Sequence, residues 1–205
     1  MITLYLIHHA ECEANNEETL VGRALHIPLT RLGEYQARAL GKHLRKEGVV
    51  FDHVFTSPEE RAKRTACLTC EEVGYPASRI LLTEGLHETT HGAWEGKPRS
   101  LFTDVHRLRQ WHFRPPQGES LQDTEERVHQ FLEQNIISRY HEGHVALFTH
   151  PFAMRSLLRR LLDADPVSVQ HMNFDHASVT KLYFNSFGWK VGGVNATPHL
   201  AWLKE

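Results

Sequence analysis

The chain has 205 residues, of which 40% are hydrophobic and 23% charged, with a formal net charge of −2. That size and balance predict one domain with a sizeable core, and they give no electrostatic reason to expect a nucleic-acid or membrane-surface partner. No apolar run approaches the roughly 20 residues of a membrane-spanning helix, and the apolar N-terminal run is too short, and lacks the basic flank, for a signal peptide.

Residues 4–11, Leu-Tyr-Leu-Ile-His-His-Ala-Glu, open the chain as a β-prone run that ends in two histidines. An irregular polar stretch follows as far as Pro28. A helix is predicted from residue 30 to about 47: Thr30 can cap it, Ala37, Leu40 and Leu44 share a face, and Gly48 ends it. After a short strand at 52–56, Ser57-Pro58 reads as a helix start, with Ser as N-cap and Pro in the first turn, for a helix reaching about Val73. Residues 80–83 read as another strand. The stretch 85–118, which holds Trp94, Trp111, Pro98, Pro115 and Pro116, is the least regular and long enough to be a functional excursion. Ser120-Leu-Gln-Asp123 is a capping pattern for an amphipathic helix ending near Tyr140. Residues 144–150 form a second apolar run ending in a histidine, followed by a helix over 152–162. Residues 178–184 and 189–194 close the chain as an antiparallel pair around a turn at 185–188. Strands alternate with helices, with no repeat or linker, so a single domain over 1–205 is expected, of α/β class with a mostly parallel sheet.

Two strands that each deliver a histidine at the carboxyl end point to the edge where open α/β sheets bind ligands. Arg61 lies near the start of the helix opened by Ser57-Pro58. A helix N-terminus suits an anion, and a guanidinium can grip two phosphate oxygens. The bland alternative is a surface arginine paired with Glu60. With sixteen histidines in all, several must be plain surface residues. The three cysteines suit a reducing, cytoplasmic setting. Cys67 and Cys70 form a C-x-x-C two turns into a helix, with no second pair to complete a zinc site, and read as small core-side residues. His8, His9, Glu11 and His150 are residue types that could ligate a transition metal. Adjacent strand residues point to opposite faces, so no metal is expected there.

Taken together these segments resemble the histidine phosphatase superfamily, in the branch that includes cofactor-dependent phosphoglycerate mutases and broad-specificity phosphatases. The likeness runs through nearly the full length. His8-His9-Ala10-Glu11 with Asn15 is similar to the family's opening Arg-His-Gly-Glu signature. Pro28-Leu29-Thr30 with Gly33 and Gln36-Ala37 is similar to its first helix start. Ser57-Pro58-Glu59-Glu60-Arg61-Ala62 with Thr65-Ala66 matches its second signature. Leu86-His87-Glu88 with Gly92-Ala93-Trp94-Glu95-Gly96 matches its acid-bearing loop, Gly118-Glu119-Ser120 a later loop, and Thr149-His150 its closing histidine motif.

The resemblance implies a three-layer, phosphoglycerate mutase-like fold with helices on both faces of the sheet. It implies His9 as a nucleophile forming a phosphohistidine, with Arg61, His150 and Asn15 holding the phosphoryl oxygens and Glu88 protonating the leaving oxygen before assisting water. His8 and Thr149 join Asn15 as expected substrate-binding residues, and Cys12 as a packing residue near the nucleophile. No cofactor is implied. The expected partners are a small phosphorylated substrate and, for assembly, a second copy of the chain.

Two departures stand out: His8 replaces the family's arginine, and Ala10 its glycine. Losing one preorganised donor typically costs on the order of 10²–10³ in rate, so a slow phosphatase or a catalytically weak phospho-ligand binder are both open. A bound phosphate should favour protonated His8, letting it stand in for arginine at mildly acidic pH. Hydrolysis is preferred over mutase-type transfer because the region after the acid-bearing loop is short. His91, Arg107 and Arg109 are candidates for the substrate side of the pocket, with exposed helix charges as the plain alternative.

Overall fold

The computed structural model describes residues 1–16, 19–98, 100 and 111–204. Strand β1 (Ile2–His8) leads through a 3-10 turn (Glu13–Asn16) to α1 (Arg31–Lys46), β2 (His53–Thr56), α2 (Glu60–Val73) and a two-residue β3 (Leu81–Leu82). Helix α3 (Leu121–Leu132) runs on into a π turn (Glu133–Ile137). Then follow β4 (Gly143–Thr149), α4 (Pro151–Leu162), α5 (Pro166–Gln170), β5 (Val179–Asn185) and β6 (Gly188–Ala196). The six strands form one sheet in the order β3-β2-β4-β1-β5-β6. The first four in that order are parallel, while β5 and β6 run antiparallel to their neighbours.

The central strands are apolar on both faces because both faces are covered, the usual condition of a parallel sheet. Ile2, Leu4, Leu6, Val145 and Leu147 pack with Val128, Phe131, Leu132, Met154 and Leu157 of α3 and α4. Their alternates Tyr5, Ile7, Ala146 and Phe148 pack with Leu40, Leu44, Ala66 and Cys70 of α1 and α2. Each such buried aliphatic or aromatic side chain is worth about 1.5–3 kcal/mol, so this three-layer core is a rigid base for the edge above it.

Caps follow the sequence where they are local. Thr30 Oγ1 accepts from Gly33 N at 2.9 Å, and Ser120 with Asp123 forms a reciprocal capping box. Gly33 is required for another reason: a Cβ there would lie 1.9 Å from the Glu11 carbonyl oxygen, so α1 presses on the loop after β1. Three expectations are corrected. Helix α2 starts at Glu60, not at Ser57, and Ser57 does not cap it, because its hydroxyl turns to the Glu59 carboxylate. The helix expected to reach Tyr140 ends its α portion at Leu132. The strand at 80–83 shrinks to Leu81–Leu82 on an exposed sheet edge, where one neighbour is absent and little is buried.

In the β1–β4 register His8 lies opposite Thr149. One residue further on, both chains leave the sheet together, which brings His9 beside His150.

Candidate active site

A cavity of about 490 Å³ opens at this carboxyl edge, with His8, His9, Asn15, Arg61, Glu88 and Arg155 among its walls. His9 is buried, and its Nδ1 lies 2.8 Å from the Ala10 carbonyl oxygen. A carbonyl only accepts, so Nδ1 carries the proton and Nε2 of the neutral ring keeps a lone pair. Burial, then the charges of His8, His150 and Arg61, hold the His9 pKa well below the usual value, so the ring is neutral near pH 7. Its rear is fixed as well: Ala10 N donates to Thr65 Oγ1 at 2.9 Å, and Ala177 N donates to the His9 carbonyl at 3.1 Å. Ala10 is not among the residues with positive φ, so the missing glycine costs no strain there.

Arg61 enters from the first turn of α2 and is buried. Its Nη1 and Nη2 donate to the carbonyls of Ala24 and Gly22 at 2.9 and 3.0 Å, with no carboxylate partner among the described residues. The guanidinium is thus held rigidly while its charge stays uncompensated. His150 stands edge-on to His9 with ring centroids 5.1 Å apart. Its Nε2 lies 3.0 Å from Ser57 Oγ and 3.3 Å from Glu59 Oε2, and its buried Nδ1 has no partner among the described residues. Burial and Arg61 lower its pKa, while the hydrogen bond to Glu59 opposes them.

Glu59 is the largest omission of the sequence reading. It is fully buried and joins the Ser57 hydroxyl, His150, His87 Nδ1 at 3.0 Å and the backbone N–H of Glu88 at 3.3 Å. Burial alone would raise its pKa, yet the hydrogen bonds from His150, His87 and Ser57 outweigh that and keep it ionised. This one carboxylate ties the end of β4 to the acid-bearing loop. Nothing local distinguishes Glu59 from Glu60, so only the tertiary contacts reveal it.

Glu88 also lines the cavity. Its Oε1 accepts from Thr89 N at 2.9 Å and its Oε2 from Phe152 N at 3.4 Å, at the start of α4. Asn15 also lines the cavity, with Oδ1 held by Cys12 N at 2.8 Å, which leaves its Nδ2 donors for the pocket. Cys12 is buried, and burial raises its thiol pKa, so a thiolate is disfavoured beside His9.

His8 and Thr149 differ from expectation. His8 shares the cavity wall with His9 at a ring separation of 4.4 Å, because β1 ends at His8 and strand alternation stops there. Its Nδ1 lies 3.0 Å from the carbonyl oxygens of both Phe174 and Asp175, which makes that nitrogen the donor. Burial, then the charge of His176, pushes its pKa down to about 3, so by itself the ring is neutral at mildly acidic pH. Thr149 is off the cavity wall: it is fully buried and its hydroxyl donates to the Leu86 carbonyl at 2.7 Å, bracing the acid-bearing loop. His91 lines the cavity, whereas Arg107 and Arg109 lie outside the described residues. Sequence reasoning also missed His176, whose ring lies 5.3 Å from that of His8, and Arg155. Among the described residues no group of three or more His, Cys, Asp or Glu is placed to hold a metal ion. No helix among them is long and apolar enough to cross a membrane.

Comparison with known proteins shows the family and the fold. Residues 4–197 match the family described as histidine phosphatase superfamily (branch 1). A protein of Hydrogenobacter thermophilus carried under the provisional name phosphoserine phosphatase 2 is 28% identical over 190 residues, 89% of this chain and 90% of its own length. A 2,3-bisphosphoglycerate-dependent phosphoglycerate mutase of Methylobacterium sp. (strain 4-46) is 34% identical over 163 residues, 76% of this chain and 78% of its own. The solved structure of Bacillus stearothermophilus YhfR superposes with a TM-score of 0.84 at 25% identity, covering 98% of this chain and 100% of that one.

Proposed function

The chain belongs to the histidine phosphatase superfamily, and from that premise we propose a metal-independent phosphatase that hydrolyses small phosphomonoesters through a phosphohistidine on His9. The observation that carries the reading is the His9 tautomer: Nδ1–H is locked on a backbone carbonyl, so the attacking lone pair on Nε2 is free at neutral pH.

His9 Nε2 attacks phosphorus, the P–O bond to the alcohol breaks, and Glu88 gives the departing oxygen a proton. Water then attacks the phosphohistidine, loses its proton to Glu88, and inorganic phosphate leaves with His9 restored. Arg61 and the Asn15 amide offset the charge on the transferring oxygens, and a fixed guanidinium does this without reorganisation, while His150, held by Ser57 and Glu59, packs edge-on against the His9 ring. The three free thiols support placing the protein in the cytoplasm.

The 34% identity to a phosphoglycerate mutase supports a second reading, transfer of the phosphoryl group to a second alcohol instead of water. One experiment separates the possibilities. p-Nitrophenyl phosphate is incubated at pH 4–8 with chelator, alongside His9→Ala, and 3-phosphoglycerate is followed in parallel. Turnover that survives chelator and falls at least ~10³-fold in His9→Ala supports the phosphatase. Isomerisation that outruns phosphate release assigns the mutase. Phosphate binding without turnover at any pH assigns a binding protein.

A further inference from the structure

Beside His9 stands an imidazole that the chemistry above does not use. His176 lines the cavity, its ring 5.3 Å from that of His8 and 6.0 Å from that of His9, with interplanar angles of 36° and 30°. The residue is half-buried, and neither ring nitrogen has a hydrogen-bond partner among the described residues. The acidic groups that act on it are Glu11, from the exit of β1, and the neighbouring Asp175. The imidazoles facing it are His8 and His9.

The turn that carries this ring, just before β5, is held in a costly shape. Ala177 has a φ of 57°, a left-handed conformation that a residue with a Cβ keeps only where its surroundings impose it. Here the surroundings are the backbone of the two histidines. Ala177 N donates to the His9 carbonyl at 3.1 Å, and His8 N donates to the Ser178 carbonyl at 3.1 Å. Ser178 N closes the turn on the Asp175 carbonyl at 3.1 Å, and Asp175 N donates to Asn195 Oδ1 at 2.7 Å. The position of the His176 ring is thereby set against the backbone of the nucleophile itself.

His8 cannot supply a donor on this side of the cavity. Its Nδ1–H is spent on the carbonyls of Phe174 and Asp175, so the neutral ring has only the Nε2 lone pair left to offer. A phosphoryl oxygen arriving there needs an N–H from another group. Two nitrogens that bind one oxygen at ordinary lengths of about 2.7–3.2 Å stand roughly 4.5–5.5 Å apart, which the 5.3 Å between the His8 and His176 rings permits. We infer that His176 is a further catalytic residue, whose ring N–H donates to the same phosphoryl oxygen that His8 Nε2 contacts. The two imidazoles then hold one P–OH group between them: its O–H donates to His8, and its oxygen accepts from His176. This rests on the phosphatase reading for the identity of the anion.

Calorimetry of the whole protein with orthovanadate, which imitates the phosphoryl group in transfer, and with inorganic phosphate reads this contact without turnover. His176→Phe keeps a flat ring against His8 and His9 but has no N–H. It should lose on the order of 10²-fold in vanadate affinity and about tenfold or less in phosphate affinity. With p-nitrophenyl phosphate, kcat/KM should fall on the order of 10²-fold, carried by kcat more than by KM. His176→Gln restores an N–H donor and should recover about tenfold of both losses.

Vanadate affinity in His176→Phe within about threefold of the native value overturns the inference. So does a His176→Gln protein no better than His176→Phe, as a ring that only wedges the turn in place would give. A native protein that binds no vanadate overturns it too. Absence of p-nitrophenyl phosphate turnover, with the vanadate loss and its recovery both present, supports the contact and removes the phosphatase reading alone.

Discussion

Replacing His8 by arginine tests how this site handles the phosphoryl charge. In the native protein the His8 pKa of about 3 lies about four pH units below neutrality, so charging the ring at pH 7 costs about 5 kcal/mol at 1.36 kcal/mol per unit. One preorganised donor to a transferring oxyanion returns only about 2.7–4 kcal/mol. The proton therefore has to come in with the substrate, as the monoanion of an ester whose second pKa is about 6. With Nδ1–H spent on the carbonyls of Phe174 and Asp175, neutral Nε2 can accept from that P–OH group. It follows that kcat/KM for an alkyl phosphomonoester should fall about tenfold per pH unit above pH ~6. Arginine needs no proton from the substrate, so His8→Arg should flatten the profile and gain on the order of 10²-fold at pH 8. The assay is kcat/KM from pH 5 to 8.5 for both proteins. An arginine variant no faster at pH 8, or a native profile already flat between pH 6 and 8, would refute the reasoning.

Glu59→Ala strips His150, His87, the Ser57 hydroxyl and the Glu88 N–H of a shared buried acceptor. Breaking such a network costs about 3–5 kcal/mol, a fall in Tm on the order of 6–20 °C by calorimetry, with Glu59→Gln recovering part. A fall under about 3 °C would show the network to be dispensable. Acid should destabilise the fold through its neutral buried imidazoles. His8 titrates at about 3 and His199 at about 4 when folded, against 6.5 in the open chain, so below pH 6.5 the unfolded chain binds more protons. Their contribution is complete above pH 6.5 and is lost as pH falls toward 4. Tm should therefore drop between pH 7 and 4.5, less steeply in His8→Asn, and a flat curve would contradict the burial of a neutral His8.

What the sequence determined by itself was whatever a few neighbouring residues decide. The apolar runs of β1 and β4 announced two strands that each deliver a histidine at the carboxyl end, and Thr30 and the Ser120–Asp123 pair announced their helix starts. The motifs around His9, Arg61, Glu88 and His150 announced phosphate chemistry, and His9, Arg61 and Glu88 meet at one cavity wall, with the fully buried His150 edge-on to His9. Only the tertiary structure decided which polar groups spend their hydrogen bonds inside the fold. Thr149 turned out to brace Leu86, Ser57 to serve Glu59 instead of capping α2, and His8 to be kept neutral by burial and the charge of His176. The reason is physical: helix and strand signals act over about four residues, whereas desolvation and ion pairing depend on atoms that meet only when the sheet closes.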